Sequence, residues 1–192
     1  MKKDNGFTLI ELMVGISLIA ILLTLAVPNF TQMVKNNRLS AQANDFIIAV
    51  NLARSEAIKR ALNVVLCPSA DGATCAGGGG WEQGWLIYVD ADTSSTLNAG
   101  DTILRVFPAL SGGNTLRANT ASTYGTSITY RPRGFVVNAG SLVLCDDRNR
   151  DGDTGDAEDF NMGRTIIISG TGRPHLGRAD DLASPFSNCS GS

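Results

Sequence analysis

A single carboxylate, Glu11, stands inside the apolar stretch GFTLIELMVGISLIAILLTLAVPNF at residues 6–30. From Phe7 to Val27 the chain runs for 21 residues with that one charge, close to the ~20 a helix needs to cross a bilayer. A carboxylate at hydrocarbon depth costs about 2.5–3.5 kcal/mol on insertion scales, so the position calls for a cationic partner. Cleavage after Gly6 would create one, because a new α-amino group at Phe7 would lie one helical turn away or beside Glu11 of a neighbouring copy. The plainer alternative puts Glu11 at headgroup depth near the helix end. The basic flank MKK keeps the N-terminus cytoplasmic and sends the remainder outward. Pro28-Asn29-Phe30 is a poor small-residue cleavage site after the apolar core, and the small residue lies before the core instead, at Gly6.

A second set of candidate groups is made of hard oxygen ligands. Asp147, Asn149, Asp151, Gly152 and Glu158 fit the spacing D-x-[DN]-x-[DN]-G-x5-E of a calcium loop, with glycine at the sharp turn. Arg148 and Arg150 interleave the ligands, Thr154 replaces an apolar residue, and the preceding segment reads as a strand, so an acidic solvated loop is the alternative. Asp90, Asp92, Ser94, Asn98 and Asp101 give a weaker echo of the same spacing. Four cysteines, Cys67, Cys75, Cys145 and Cys189, downstream of a membrane-targeting segment favour two disulfides in an oxidising compartment. Three pairings are open; the short Cys67–Cys75 loop favours a local bridge, which leaves Cys145 for Cys189. No Cys-x-x-Cys spacing supports a metal site of four thiolates. The lone histidine, His175, sits beside Pro174, and no nucleophile elbow, zinc triad or carboxylate pair is present, so no enzymatic activity is expected. The glycine run 77–80 lacks the lysine and helix of a phosphate loop. A net charge of −2 argues against a main role in coating nucleic acid and leaves room for a local basic patch.

The elements that must position these groups follow from periodicity. Pro28 should kink rather than end the helix. Beyond it Leu39, Ala43, Phe46, Val50, Ala53, Ala57 and Ala61 fall on one helical face, with Arg38, Gln42, Asp45 and Arg54 opposite. A helix over 8–60 would be ~80 Å long at about 1.5 Å per residue. After residue 62 the rhythm changes to short β runs, expected at 63–67, 85–89, 102–107, 127–131, 135–137, 142–145, 164–169 and 173–176. The expected fold class is α+β, a long N-terminal helix packed against an antiparallel β-sheet or sandwich. The expected organisation is a leader at 1–6, a membrane or filament-core half-helix at 7–28, an amphipathic half-helix at 29–62 and a β-rich head at 63–192.

The string from Gly6 to Glu11, with two lysines upstream and Pro28 behind the apolar run, resembles the class III signal of type IV pilins and type II secretion pseudopilins. That resemblance implies cleavage after Gly6 by a prepilin peptidase, N-methylation of Phe7, and a Glu11 that neutralises a neighbouring subunit's N-terminus as filaments grow. LARSEAIKR at 52–60, WEQGWLIYVD at 81–90 and GRTIIISGTGRPHL at 163–176 are similar to the GspH/FimT-type minor pilins, a family with FimU-like priming subunits and the H pseudopilin. The resemblance implies a minor type IV pilin, single-pass in the inner membrane with a periplasmic head, later carried into a pilus or pseudopilus. It would help initiate assembly and sit near the tip, with other major and minor pilins, the prepilin peptidase and the inner membrane as partners. The alternatives are a DNA-binding pilin of the natural-transformation apparatus and the minor pseudopilin H of type II secretion. FimT-like relatives in transformation carry a C-terminal G-R-x-R motif; here the residues are Gly172-Arg173-Pro174-His175, and the histidine is mostly neutral at pH 7. Arg164 and Arg178, with Arg131 and Arg133, are candidates to supplement Arg173 if they share a surface; exposed arginines at strand ends are the alternative. DNA is therefore an admissible but not a favoured partner. No cofactor is expected, and calcium is the one ion the sequence admits.

Overall fold

One helix, α1 (Leu9–Arg60), runs without interruption from the apolar N-terminal stretch, through position 28, to the first β-strand. The computed structural model describes residues 7–78, 80–119, 123–146, 157–179, 186, 188 and 189. The chain divides into two compact units, Met1–Arg38 and Leu39–Ser192. In the first, apolar side chains face outward all round: Phe7 is 87% exposed and Leu9 77%. The hydroxyls within this greasy surface bond back to the helix itself. Ser17 Oγ donates to the Met13 carbonyl and Thr24 Oγ1 to the Ile21 carbonyl, both at 2.7 Å, which leaves no hydroxyl dependent on water. By length and composition α1 is long and apolar enough to cross a membrane.

The second unit begins with the other half of α1. Leu39, Ala43, Phe46, Ala49, Val50, Ala53 and Ala57 form its fully buried stripe, at the spacing of one helical face. Small alanines let neighbouring backbone approach, while Phe46 provides bulk. The strands are β1 (Asn63–Pro68), β2 (Trp85–Asp90), β3 (Thr102–Phe107), β4 (Thr115–Ala118), β5 (Ile128–Tyr130), β6 (Gly140–Cys145), β7 (Arg164–Ile168) and β8 (Pro174–Arg178), with a short helix α2 (Ala157–Met162) before β7. They form two antiparallel four-stranded sheets, ordered β3-β2-β1-β5 and β4-β6-β7-β8.

Each sheet contributes one face to the core it shares with the helical stripe. Val64, Leu66, Ile87 and Val89 come from the first sheet, and Leu142, Leu144, Ile166 and Ile168 from the second. Phe46 meets the edges of Trp81 and Trp85 at centroid distances of 5.3 and 5.2 Å, and Trp85 stacks on Phe107 at 5.5 Å. The outer faces are also covered. Val65, Cys67, Leu86 and Tyr88 pack with Cys75 and Leu97 on one sheet, and Val143 and Cys145 with Phe160, Ala179, Phe186 and Cys189 on the other. Burial on both sides explains why β1, β2 and β6 read as apolar runs rather than alternating patterns. Each outer covering is tied down covalently, by Cys67–Cys75 (Cα–Cα 5.6 Å) and by Cys145–Cys189 (Cα–Cα 6.0 Å).

Several local expectations are corrected. Gln42, placed on the polar helical face by its spacing, is buried: the loop after β3 covers it. Its amide donates to the Ser111 carbonyl at 3.0 Å and accepts from Asn114 at 2.5 Å. Arg54 is half-buried and donates to the Gly134 carbonyl at 3.0 Å. Ala61 lies beyond the helix with φ 55°, at the point where the chain turns toward β1. The segment 135–137 forms only a bridge between Tyr130 and Val136, because a turn at Arg131–Gly134, closed by Gly134 N–H donating to the Arg131 carbonyl, takes up the chain in front of it. β4 and α2 were not expected.

Truncating the aromatic hub tests this packing. Phe46→Ala should destabilise the full-length chain in detergent by about 3–5 kcal/mol, read from denaturant midpoints; a loss below about 1 kcal/mol would mean that the hub does not organise the core. Replacing both Cys145 and Cys189 by serine should cost about 3–4 kcal/mol, as the loop they close is long. Unchanged melting of that variant would show that the C-terminal covering holds without its bridge.

Candidate functional site

At the start of α1 the sequence Thr8-Leu9-Ile10-Glu11 folds as a capping box. Glu11 N–H donates to Thr8 Oγ1 at 3.3 Å, while Glu11 Oε2 accepts from the Thr8 backbone N–H and hydroxyl, both at 3.2 Å. The lone carboxylate of the apolar run therefore closes the first turn of its own helix. Phe7 projects into the surroundings beside it. The spacing Thr-x-x-Glu was the available signal, and reading Glu11 only for its charge passes over it. Gly6, the expected cleavage point, lies outside the described residues.

The candidate arginines divide between two ends of one hairpin. Arg164 and Arg178 face each other across β7 and β8. Arg164 Nη1 donates to the carbonyls of Met162 (3.0 Å) and Gly163 (3.2 Å), and Arg178 Nη2 to that of Asn161 (3.2 Å). Both guanidinium groups are thus engaged by carbonyls at the C-terminal end of α2, which the helix leaves unpaired. Arg173 precedes β8 at the opposite end, and His175 sits across from Ile167; both are exposed. The turn containing Gly172 presses against the Arg131–Gly134 turn. A Cβ on Gly172 would come within 2.3 Å of the Gly134 carbonyl oxygen, and Gly172 holds φ +77°, so glycine is required here. Tyr130 Oη donates to the Gly172 carbonyl at 3.0 Å and fixes this contact from below. Arg173 is thereby brought to the turn carrying Arg131 and Arg133, which with Pro132 and Phe135 line a cleft of about 370 Å³. Arg164 and Arg178 do not join it.

Of the two acidic loops, the stronger sequence match falls outside the described residues at Asp147, Asn149 and Asp151, and nothing is described of the Glu158 side chain. The weaker one is well defined. Asp90, Asp92 and Asp101 each bring a carboxylate oxygen within 4.8 Å of the others. Burial, ahead of its two acidic neighbours, pushes the Asp90 carboxyl above its ordinary range.

Comparison with known proteins places these features. The prokaryotic N-terminal methylation motif matches residues 1–27, and the family of the type II transport protein GspH matches residues 42–172. No curated protein matches the sequence. The type IV minor pilin FimU of Pseudomonas aeruginosa is similar in two crystal forms. One has 20% identity, covering 82% of this chain and 98% of that one, with a TM-score of 0.58; the other has 22% identity, 79% and 99% coverage, and a TM-score of 0.54. The minor pseudopilin EpsH of the Vibrio cholerae type 2 secretion system aligns at 10% identity over 75% of this chain and 99% of that one, with a TM-score of 0.48. The likeness to FimU establishes the fold, a long N-terminal helix joined to paired antiparallel sheets. With the methylation motif on its apolar helix and the GspH match running from the buried half of α1 to the turn before β8, the chain belongs to the GspH family of minor pilins and pseudopilins.

Proposed function

We propose that the chain is a minor type IV pilin that helps prime pilus assembly from the inner membrane and enters the filament near its tip. The observation that carries the assembly role is Glu11, held by a neutral partner in a helix whose apolar surface is exposed. An N-cap interaction contributes about 1 kcal/mol, less than the roughly 2.5–3.5 kcal/mol that a carboxylate costs at hydrocarbon depth. A charged partner is therefore still favoured, and the α-amino group of Phe7 on an adjacent subunit has the right charge. In this reading the prepilin peptidase removes residues 1–6 and Phe7 is N-methylated. The leaderless helix then packs among other major and minor pilins, with residues 63–192 as a periplasmic head. The priming role draws on the resemblance to FimU-like subunits, and the likeness in fold to the type IV minor pilin FimU supports it.

A second reading, a DNA-binding pilin, is favoured by one observation: Arg173 lies at the same pair of turns as Arg131 and Arg133. Three phosphate contacts would give a salt dependence of log K near −2.7, at about −0.9 per contact.

Glu11→Val should leave membrane insertion and leader removal intact, seen as a membrane-bound band of mature size, while the protein disappears from sheared filaments. Wild-type amounts of the mutant in filaments would overturn the assembly role. Deleting the gene should reduce surface pili and leave exoprotein release unchanged; the reverse phenotype would identify a secretion pseudopilin. For the second reading, Arg173→Ala should lower the salt slope of DNA retention by about one, and an absence of retention at low salt would dismiss it.

A further inference from the structure

The turn that follows β5 sets an aromatic ring among guanidinium groups. Tyr130 and Val136 face each other across it and point into the core. The next pair outward is Arg131 and Phe135, joined by Arg131 N–H donating to the Phe135 carbonyl at 2.9 Å, so both fall on the opposite face. Phe135 is accordingly 49% exposed. Arg133 stands within the turn, and with Arg131, Pro132 and Phe135 it lines the cleft of about 370 Å³. A lone exposed apolar residue is ordinary on a protein surface. This one is set among cations.

The arrangement is also stiff. Gly134 N–H closes the turn on the Arg131 carbonyl at 2.8 Å, Pro132 fixes the residue after Arg131, and Arg54 Nε donates to the Gly134 carbonyl at 3.0 Å. The turn bearing Gly172 abuts it, tied by the Tyr130 hydroxyl, and brings the exposed Arg173 alongside. Backbone held in this way has little entropy left to lose when a ligand arrives. Among the described residues no carboxylate pairs with Arg131, Arg133 or Arg173, so all three charges are available to an anion.

Three cations select a polyanion, and a flat ring between them selects one with flat faces of its own. A carboxylate-rich peptide meets the first requirement and leaves the ring idle. Duplex DNA also meets only the first, because its stacked bases show a protein their edges alone. A single strand meets both, since its phosphates pair with guanidinium groups while an unstacked base lies on the ring. We propose that this cleft is a site for single-stranded nucleic acid, with Phe135 as the stacking platform for one base and Arg131, Arg133 and Arg173 as phosphate contacts. The inference rests on the DNA-binding reading and narrows it from DNA in general to an unpaired strand. Every base has a π-face, so the site holds a strand without reading its sequence.

The test uses the full-length chain in detergent micelles, over a salt series. The probes are a mixed-sequence single-stranded oligonucleotide, the duplex of the same length, and poly-glutamate. The single strand should be retained at least about fivefold more tightly than the duplex, the effect of one stacked base. Its log K should fall with log salt at a slope near −2.1, at about −0.7 per phosphate contact. Phe135→Leu should erase the preference without moving that slope, because stacking releases no counterions, whereas Arg173→Ala should reduce the slope by about 0.7. Phe135→Tyr, which keeps the ring, should keep the preference. Equal retention of strand and duplex by the wild type would overturn the proposal and leave the DNA-binding reading in place; retention of neither would dismiss both. The proposal is overturned as well by poly-glutamate bound as tightly as the strand, which would mark a patch of charge alone, or by a preference that survives Phe135→Leu. A preference lost as fully in Phe135→Tyr as in Phe135→Leu would also overturn it, marking the position as structural.

Discussion

A helix that turns apolar side chains outward on every side from Phe7 to Val27 has to be enclosed by hydrocarbon or by other helices. Bilayer and filament core are nearly equivalent solvents for Leu, Ile and Val, so apolar surface by itself gives little preference between them. The choice falls to the few polar groups. Ser17 and Thr24 are satisfied by their own helix and are indifferent to the surroundings. Glu11 is not indifferent, because its partner Thr8 supplies hydrogen bonds without charge. A carboxylate already oriented by a capping box needs little rearrangement to accept an ammonium, and only an environment that provides one relieves it fully.

The same helix poses a different problem in the second unit. Leu39–Arg60 packs one face into a core drawn from both sheets, so the outer faces of those sheets, still rich in Val, Leu and Tyr, require separate covers. The covers are short: the Cys67–Cys75 loop with Leu97 on one side, and α2 with the C-terminal residues Phe186 and Cys189 on the other. Segments this small bury too little area to hold themselves down. The disulfides sit where the apolar area runs out, and this placement fits an oxidising compartment.

How much of this was legible in the sequence depended on the range of the interaction. The long helix, the buried stripe and most strands are set by near-neighbour periodicity, and Thr102–Phe107 falls where its apolar run ends. β4, the four residues Thr115–Ala118, alternates polar and apolar over too short a run to stand out from a loop; it exists because β6 offers it an edge and because Arg117 meets Glu82 across space. Gln42 obeys the helical wheel and is nonetheless buried, since the cover comes from residues some seventy positions later in the chain. The arginines show the same limit. Their clustering was conditional on a shared surface, and hairpin register, invisible in a linear reading, sent Arg164 and Arg178 to one end and Arg173 to the other. The disulfide pairs follow the short-loop guess because Cys67 and Cys145 lie on the outer faces of different sheets.

Two aspartates in the second unit show why the loop after β2 differs from an ordinary acidic turn. Asp71 accepts from the backbone of Ala73 and Thr74 and from the hydroxyls of Thr74 and Ser69, and these bonds hold its carboxyl well below the usual range. Its folded value is depressed, so it stabilises the loop at pH above the unfolded value, and that contribution is lost as pH falls toward the folded one. Asp90 also accepts two backbone N–H bonds, yet its value is raised, because it is buried and faces Asp92 and Asp101. For a raised acid the sign reverses: stability declines as pH climbs through the window above the ordinary value near 3.8. Four hydrogen bonds on an exposed carboxylate lower its value, whereas two on a buried one do not offset the desolvation.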